Sequence, residues 1–464
     1  MQKCDVLIIG GGVAGLMAGI ELARNGKKVI LLEKEGVVGG QCKTEELYTN
    51  GETYRFDYGG HRFITNNEVL LSFVEEVLGD DLLFAQRSSV ILHQDRVYEY
   101  PLNLKNLFSV APFKLLFGAS IDTLKIIFKM VNPDDSSFKS WISSRFGKTL
   151  YDNFFGPYTK KLWGIEPDKL SADWAGQRIS LLDLKDVAKK LLFKNKKTAR
   201  TYAKSYRYPK FGFGGLPKKM AKKFEALGGE IFVNEGVESF IYSDNKIETV
   251  KTQTKSFHAQ NIISTMPLNE MSKQLGFESG LKFRSLRFLC IGLDIEDFSP
   301  HTWQYVSDYD LLPTRIQEPK RRSESMAPQG KSSIMLEIPC NKGDEIWDMN
   351  EDELLAIVKK DLSRLKFDIE DKIVDYFSFT TEHAYTLMDI EYSEKRDKTI
   401  EYLNQFDNLI MAGRQGTFRY IFLDTAMETG LMAAQKILDD ESHSRLNIYN
   451  HRNEKTVIET KSVA

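Results

Sequence analysis

Short apolar runs, glycine-rich turns and amphipathic stretches alternate along the chain from its first residues. Val6 to Ile9 is the continuous apolar run of a strand buried on both faces. Leu16 to Arg24 reads as a helix, and Lys28 to Glu33 as a second strand. Over residues 68–84, Val69, Leu70, Phe73, Val74, Val77 and Leu78 fall at helical spacing. A strand pair is expected from Ser88 to Tyr100, halted by Pro101. Leu104 to Met130 is strongly apolar, but Lys114, Asp122 and Lys125 interrupt it. A membrane span wants roughly 20 uncharged apolar residues, so two helices are expected there instead. Further helix is expected over Phe138 to Phe155, ending at a Gly156-Pro157 break. After a helix at Lys218 to Leu227, short strands are expected within 228–234, 237–242, 246–253 and 261–265. Phe283 to Ile295 opens a strand-rich segment running to about Glu382, with one helix over Glu351 to Leu365. An apolar strand near 408–412 and a helix from Thr425 to Leu438 close the pattern, and the polar tail beyond Ser442 is expected to fray.

The glycines between the first strand and helix give this pattern its chemistry. Gly10, Gly12 and Gly15 stand in G-x-G-x-x-G spacing. Gly10 makes the tight turn, Gly12 lets a pyrophosphate approach the backbone, and Gly15 packs helix on strand. The helix N-terminus offers free N–H groups and the positive end of its dipole. Glu33 ends the second strand about 20 residues past the glycines, where a ribose hydroxyl is held in dinucleotide folds. Such a glycine triplet alone is also compatible with a bare structural turn. Strand, glycines, helix, second strand and acid in that order favour dinucleotide binding.

At 464 residues the chain is too long for one ordinary core, and two or three domains are expected. With 42% hydrophobic and 28% charged residues it reads as a soluble globular enzyme. A net charge of −2 gives no global attraction to nucleic acid or membrane. Cys4, Cys42, Cys290 and Cys340 lie far apart, which fits a reducing cytoplasm, and the seven histidines show no metal-ligand spacing. The strand at the N-terminus leaves no room for a signal peptide, so a cytoplasmic location is expected. Lys185 to Lys210 holds ten Lys or Arg against Asp186 alone, read as a solvated helix beside an anionic ligand rather than a nucleic-acid arm.

Past Glu33 the run Lys34-Glu-Gly-Val-Val-Gly-Gly40 resembles the glutathione-reductase-like flavoproteins. That resemblance points to FAD, with Gly40 also approaching the cofactor. Tyr54-Arg-Phe-Asp-Tyr-Gly59-Gly60-His61 resembles the flavin-contacting segment of the superfamily of amine oxidases, protoporphyrinogen oxidases, phytoene-desaturase-like enzymes and UDP-galactopyranose mutases. Gly-Gly-His with a following Phe and Thr-Asn-Asn is similar to the mutase branch, which implies that His61 lies against the isoalloxazine beside Gly60. Tyr158-Thr-Lys-Lys-Leu-Trp163-Gly, with Arg178 downstream, resembles the mutase segment lining a nucleotide-sugar pocket. Thr314-Arg315-Ile-Gln-Glu-Pro-Lys is similar to a mutase motif whose arginine grips the substrate pyrophosphate. The neighbouring Lys320, Arg321 and Arg322 read as a charged loop. Gly413-Arg414-Gln-Gly-Thr-Phe418-Arg-Tyr420-Ile-Phe422-Leu-Asp resembles the mutase pattern, with Phe418 for a tyrosine and Phe422 for the first aspartate, an acid near the sugar in that family. Val237 is placed by resemblance in the strand whose backbone meets the adenine side.

The resemblance implies an α/β fold with a Rossmann-like, glutathione-reductase-type FAD domain and inserted helical and β-sheet substrate domains. The FAD domain is expected from residues 1–85, 206–268 and 400–440. The helical insertion is expected at 86–205, the sheet insertion at 269–399 and the polar tail at 441–464. The implied activity is that of a UDP-galactopyranose mutase-like flavoenzyme, with His61, Arg315 and Arg414 as catalytic candidates. Its substrate would be a nucleotide-linked sugar, acted on by reduced flavin in a reaction redox-neutral overall. Tyr158, Trp163, Arg178, Arg315 and Tyr420 would hold that substrate. The alternative is an FAD-dependent oxidoreductase acting on a hydrophobic or amine substrate, its electron partner unspecified. Some relatives bind membranes with helices like those in 104–130, and that reading takes second place here.

Overall fold

The computed structural model describes residues 1–100, 104–178 and 205–452. The basic run at 185–204 and the end of the tail therefore lie outside the described residues. Two seven-stranded sheets organise the chain. In the first, Gln2–Ile9 is central, parallel to Val29–Leu32 on one side and Ser256–Ser264 on the other. Glu230–Phe232 and Leu409–Met411 extend the parallel part. The hairpin Val237–Ser243 and Lys246–Thr252 adds an antiparallel edge. The apolar run Val6–Ile9 is buried on both faces because Val13–Arg24, Gly215–Ala226 and Leu423–Leu438 are helices packed around this sheet. This is the expected Rossmann-like architecture.

The second sheet runs, in order, Ile373–Thr386, Phe283–Leu293, Ser332–Cys340, Arg315–Gln317, Trp303–Val306, Ser89–His93 and Arg96–Glu99. Its strands alternate between two cores, as a pleat with period two requires. Leu289, Ile291, Ile334, Leu336 and Ile316 pack under the helix Glu351–Arg364, through Leu354, Val358 and Leu362. Leu286, Phe288, Cys290 and Met335 face the other way, against Tyr54 and Phe56 of the hairpin Thr44–Thr49 and Glu52–Asp57. The same alternation turns Arg315, Gln317 and Glu337 away from the helix-covered core.

Several boundaries differ from expectation. The second helix stops at Leu78, because Gly79 takes φ +56, and Leu82–Gln86 becomes a strand paired with Ser205–Pro209. The hairpin Ser89–Glu99, expected as part of the helical insertion, joins the second sheet. Ser89–Leu92 pairs in parallel with Trp303–Val306, so the second sheet draws strands from both insertions. Gly156-Pro157 does not break the chain, since Pro157 needs no N–H donor at a helix start. Helix continues from Lys148 through a π-turn at Tyr151–Phe155 into Gly156–Trp163. Tyr392–Asn404 is a helix that places Ile400 and Leu403 in the first sheet's core, so the chain returns there before residue 400. The tail is also ordered further than composition suggested: Arg445–Tyr449 is a helix, and Ile448 and Tyr449 are buried.

Candidate active site

The glycine turn is built as the spacing required. Gly10 sits at φ +104, and a Cβ there would lie 2.1 Å from Thr265 Oγ1. A Cβ on Gly15 would lie 2.1 Å from the Gly10 carbonyl oxygen, so helix and strand touch there. At Gly12, the N-cap of the helix, no atom stands within 4 Å of a Cβ, leaving an open seat above free N–H groups. Gly39 donates its N–H to the Gly11 carbonyl at 2.9 Å, which brings Gly40 within 3.4 Å (measured from its ideal Cβ) of the Gly12 Cα. Glu33 is buried at the cavity edge, its carboxylate accepting from the Gly11 and Glu35 N–H groups at 2.8 and 3.0 Å. Burial pushes that carboxyl above its ordinary value, while both backbone N–H groups oppose the shift. Gly413, at φ +77, and the start of Leu423–Leu438 close the other side. Val237 also lines this cavity, its carbonyl accepting from Gln274 Nε2 at 3.2 Å.

From this cradle one cavity of about 1360 Å³ runs on to the second sheet and the helical insertion. Tyr58-Gly59-Gly60-His61 forms its waist. Gly59 takes φ +117, and a Cβ on Gly60 would come within 3.1 Å of Arg315 Nη1. His61 packs edge-on to Phe213, and its buried Nδ1 has no hydrogen-bond partner. Burial, and then the guanidiniums of Arg414, Arg322 and Arg315, hold the imidazole down at about 3, so it is neutral at pH 7.

Arg315 and Arg414 both reach this waist. Register puts Arg315 directly opposite Glu337, and its Nε donates to Glu337 Oε2 at 2.9 Å, with Nη2 bonded to the same oxygen. Burial works against the charge, but Glu337 holds this guanidinium well above its ordinary range. Arg414 Nη2 donates to the Ala384 carbonyl at 2.9 Å, and the guanidinium lies 4.1 Å from the centre of the Tyr420 ring. Tyr158, Tyr305, Tyr385 and Tyr420 complete a phenol-rich wall. Burial raises the Tyr158 and Tyr385 hydroxyls well above their usual range, so both remain protonated donors.

Among the expected residues, Gly10, Gly12, Glu33, Gly40, Gly60, His61, Val237, Gly413, Arg414, Tyr158, Arg315 and Tyr420 line this single cavity. Trp163 does not. It is buried behind the wall, 4.7 Å from Trp174 and 5.8 Å from Tyr385 between ring centres, and Trp174 takes the cavity position. Lys161, in the same motif, donates to the Val306, Asp308 and Pro313 carbonyls and ties the helical insertion to the second sheet. Burial brings its ammonium down to about 7. Arg178 ends the helix Ala172–Arg178, and its side chain lies outside the described residues. Phe418 is buried against Phe283, away from the cavity, whereas Phe422 lines it. Lys320 and Arg322 are buried rather than looped out in solvent. Glu337 and Tyr385 carried no sequence signal beyond their place in strands; only the register across the sheet brings them to Arg315. At the rim, ligand atoms of Glu270, Glu382 and His383 come within 4.8 Å of one another, a grouping that histidine spacing did not reveal.

The open seat at Gly12, the glycine-crowded turn and the unpartnered His61 nitrogen fit a dinucleotide with a flat ring beyond it. The chain belongs to the flavin-containing amine oxidoreductase family, whose sequence model matches residues 13–291. It is an FAD-dependent enzyme. Among individual proteins it is similar to dTDP-fucopyranose mutase of Escherichia coli, 30% identical over 174 residues, covering 36% of this chain and 44% of that protein. UDP-galactopyranose mutase of Mycoplasma pneumoniae is 26% identical over 198 residues, covering 39% and 46%. The matches thus span under half the length of either relative. In fold, a crystal structure of reduced UDP-galactopyranose mutase superposes with a TM-score of 0.81, covering 97% of this chain and 99% of that one at 19% identity. Among the described residues, no helix is long and apolar enough to cross a membrane.

Proposed function

We propose that the protein acts on a nucleotide-linked sugar as a flavin-dependent mutase similar to UDP-galactopyranose mutase. The observation that carries this reading is the meeting of Arg315 and Arg414 with the Gly59-Gly60-His61 turn in one phenol-lined cavity. Gly10, Gly12, Gly40 and the Gly59-Gly60-His61 turn would hold FAD, which when reduced would supply an electron-rich centre beside the sugar. The residues do the rest by position and charge. Two guanidiniums against the one carboxylate of Glu337 leave this wall net positive, suited to a leaving diphosphate. His61 adds no charge, and the Tyr158 and Tyr385 hydroxyls stand as donors to sugar or phosphate oxygens.

A second reading has its own support. The far end of the cavity is lined by Phe138, Phe146, Leu150, Phe154 and Phe155, which suits an oxidoreductase with a hydrophobic substrate. Titration of the yellow holoprotein with UDP, oxidised and after dithionite, separates the two, alongside an oxygen-uptake assay. Arg315→Ala weakens UDP binding roughly ten-fold or more, the loss of a charge-assisted bond, and Arg315→Lys recovers part of it. Because Arg315→Ala strands a buried carboxylate, the Arg315→Ala/Glu337→Gln pair controls for folding. Absence of UDP binding to wild type in both redox states rejects the mutase reading.

A further inference from the structure

The strand Arg315–Gln317 turns two side chains to the same face of the second sheet, but only Arg315 lines the cavity. Gln317 is buried behind it, as are Glu337 and Arg322. These four side chains form one hydrogen-bonded chain. Arg322 Nη2 donates to Gln317 Oε1, and Gln317 Nε2 donates to Glu337 Oε1. Glu337 Oε2 then accepts from Arg315 Nε at 2.9 Å and from Nη2. The amide has a single workable orientation, because a flip would set its NH2 against a guanidinium and its carbonyl against a carboxylate. Arg322 fixes that orientation. Its guanidinium lies 5.9 Å from the ring centre of Tyr208 and 6.0 Å from that of Trp303, and its buried Nε and Nη1 have no acceptor among the described residues.

The same chain forms the underside of the glycine turn. A Cβ on Gly59 would lie 3.6 Å from Glu337 Oε1, and one on Gly60 would lie 3.4 Å from Gln317 Oε1 and 3.1 Å from Arg315 Nη1. Glu337 holds Nε and Nη2 of Arg315, so Nη1 is the nitrogen presented at the turn. We propose that Gln317 is a positioning residue: anchored by Arg322, it fixes the Glu337 carboxylate and thereby aims Arg315 Nη1 into the cavity. Glu337 stands between two permanently charged guanidiniums. With the amide gone its Oε1 is released and drawn toward Arg322, a buried cation with donors to offer, and Arg315 loses its fixed bearing. That the aimed nitrogen meets a diphosphate rests on the mutase reading; the aiming itself rests on the chain of bonds.

UDP titration of the oxidised and dithionite-reduced holoprotein, with flavin potentiometry beside it, tests the proposal. Gln317→Met keeps every charge and nearly the same volume, and its affinity for UDP is expected to fall roughly five-fold, as for the loss of one hydrogen bond. Gln317→Glu covers the case in which the methionine variant fails to fold, since the new carboxyl pairs with Arg322 directly. Protonated, that carboxyl donates to Glu337 as the amide does; ionised, it repels Glu337. The ratio of wild-type to variant affinity is therefore near one at low pH and widens as pH rises. Asp57, His61, Tyr206 and Tyr208 also lie in the field of Arg322, and taking the ratio at each pH removes their shared titration. Wild-type affinity for UDP in both variants at every pH overturns the proposal. If wild type binds no UDP, the mutase reading fails and the flavin midpoint potential decides. A shift in Gln317→Met, which alters no charge, then supports the positioning role, and a potential equal to wild type overturns it.

Discussion

Gly12 and Gly15 lie three positions apart and are intolerant of side chains for opposite reasons. A side chain at Gly12 meets open space in the protein, so Gly12→Val folds but fills the phosphate seat, and the purified protein is colourless. Gly15→Ala drives a methyl into the Gly10 carbonyl oxygen, so the loss is one of folding, read as a lowered melting temperature with or without added FAD. His61 gives a pH-dependent counterpart. Its folded value, about 3, lies below the ordinary imidazole value of 6.5, so between these the unfolded chain binds the extra proton. Stability from this residue is present above 6.5 and is lost as pH falls toward 3. His61→Asn therefore shows a smaller fall in urea midpoint between pH 7 and pH 5 than wild type does. Equal falls would mean that the ring protonates freely in the folded state. Other groups shift the baseline: the raised Glu33 and Asp57 carboxyls favour the folded state as pH falls, which is why the variant must be read against wild type.

At the scale of elements, the short helix Arg445–Tyr449 does more than its length suggests. Tyr449 is fully enclosed, its hydroxyl accepting the Met411 N–H at 3.4 Å beside the last strand of the first sheet. Its carbonyl accepts from Arg396 and Arg419, which clamp the tail onto the segment carrying Arg414. Tyr449→Ala should cost about 3–5 kcal/mol in denaturant unfolding, the range for emptying a large aromatic site. A loss below about 1 kcal/mol would show that the tail is a loose appendage. The second sheet shows the reverse relation between length and consequence. Arg315–Gln317 is only three residues long, but pairing on both sides fixes its register. A slip of one residue would turn Arg315 into the helix-covered core and Ile316 into the cavity.

At the scale of the whole molecule, the site is a seam. The glycine cradle comes from the first sheet and its helices, the waist from the 58–61 turn, the charged wall from the second sheet, and the apolar end from the helical insertion. Each part is ordered by its own core, with Lys161 and the shared hairpin Ser89–Glu99 locking the insertions together. A cavity of this kind can keep the glycine cradle constant while its other walls vary.

The sequence by itself determined the parts whose chemistry is local. Gly10, Gly12 and Gly15 follow from the backbone's need to turn tightly, to pack helix on strand and to leave open space at the helix start. The Val6–Ile9 run declared a buried central strand, and Gly59-Gly60-His61 a backbone opened at a turn that lines the cavity. Tertiary structure decided whatever depends on what lies opposite. Glu337 meets Arg315 only through strand register, and Trp163 yields its cavity position to Trp174 only because of how two helices cross. Ser89–Glu99 joins a sheet whose other strands lie more than 180 residues onward, a pairing that alternation within the hairpin could not announce. Tyr449 looked like polar tail because burial there comes from Met411 and Arg396, residues its own neighbours in sequence do not reveal. Local conformation is written in short windows of sequence; which faces meet is set by packing between segments far apart in the chain.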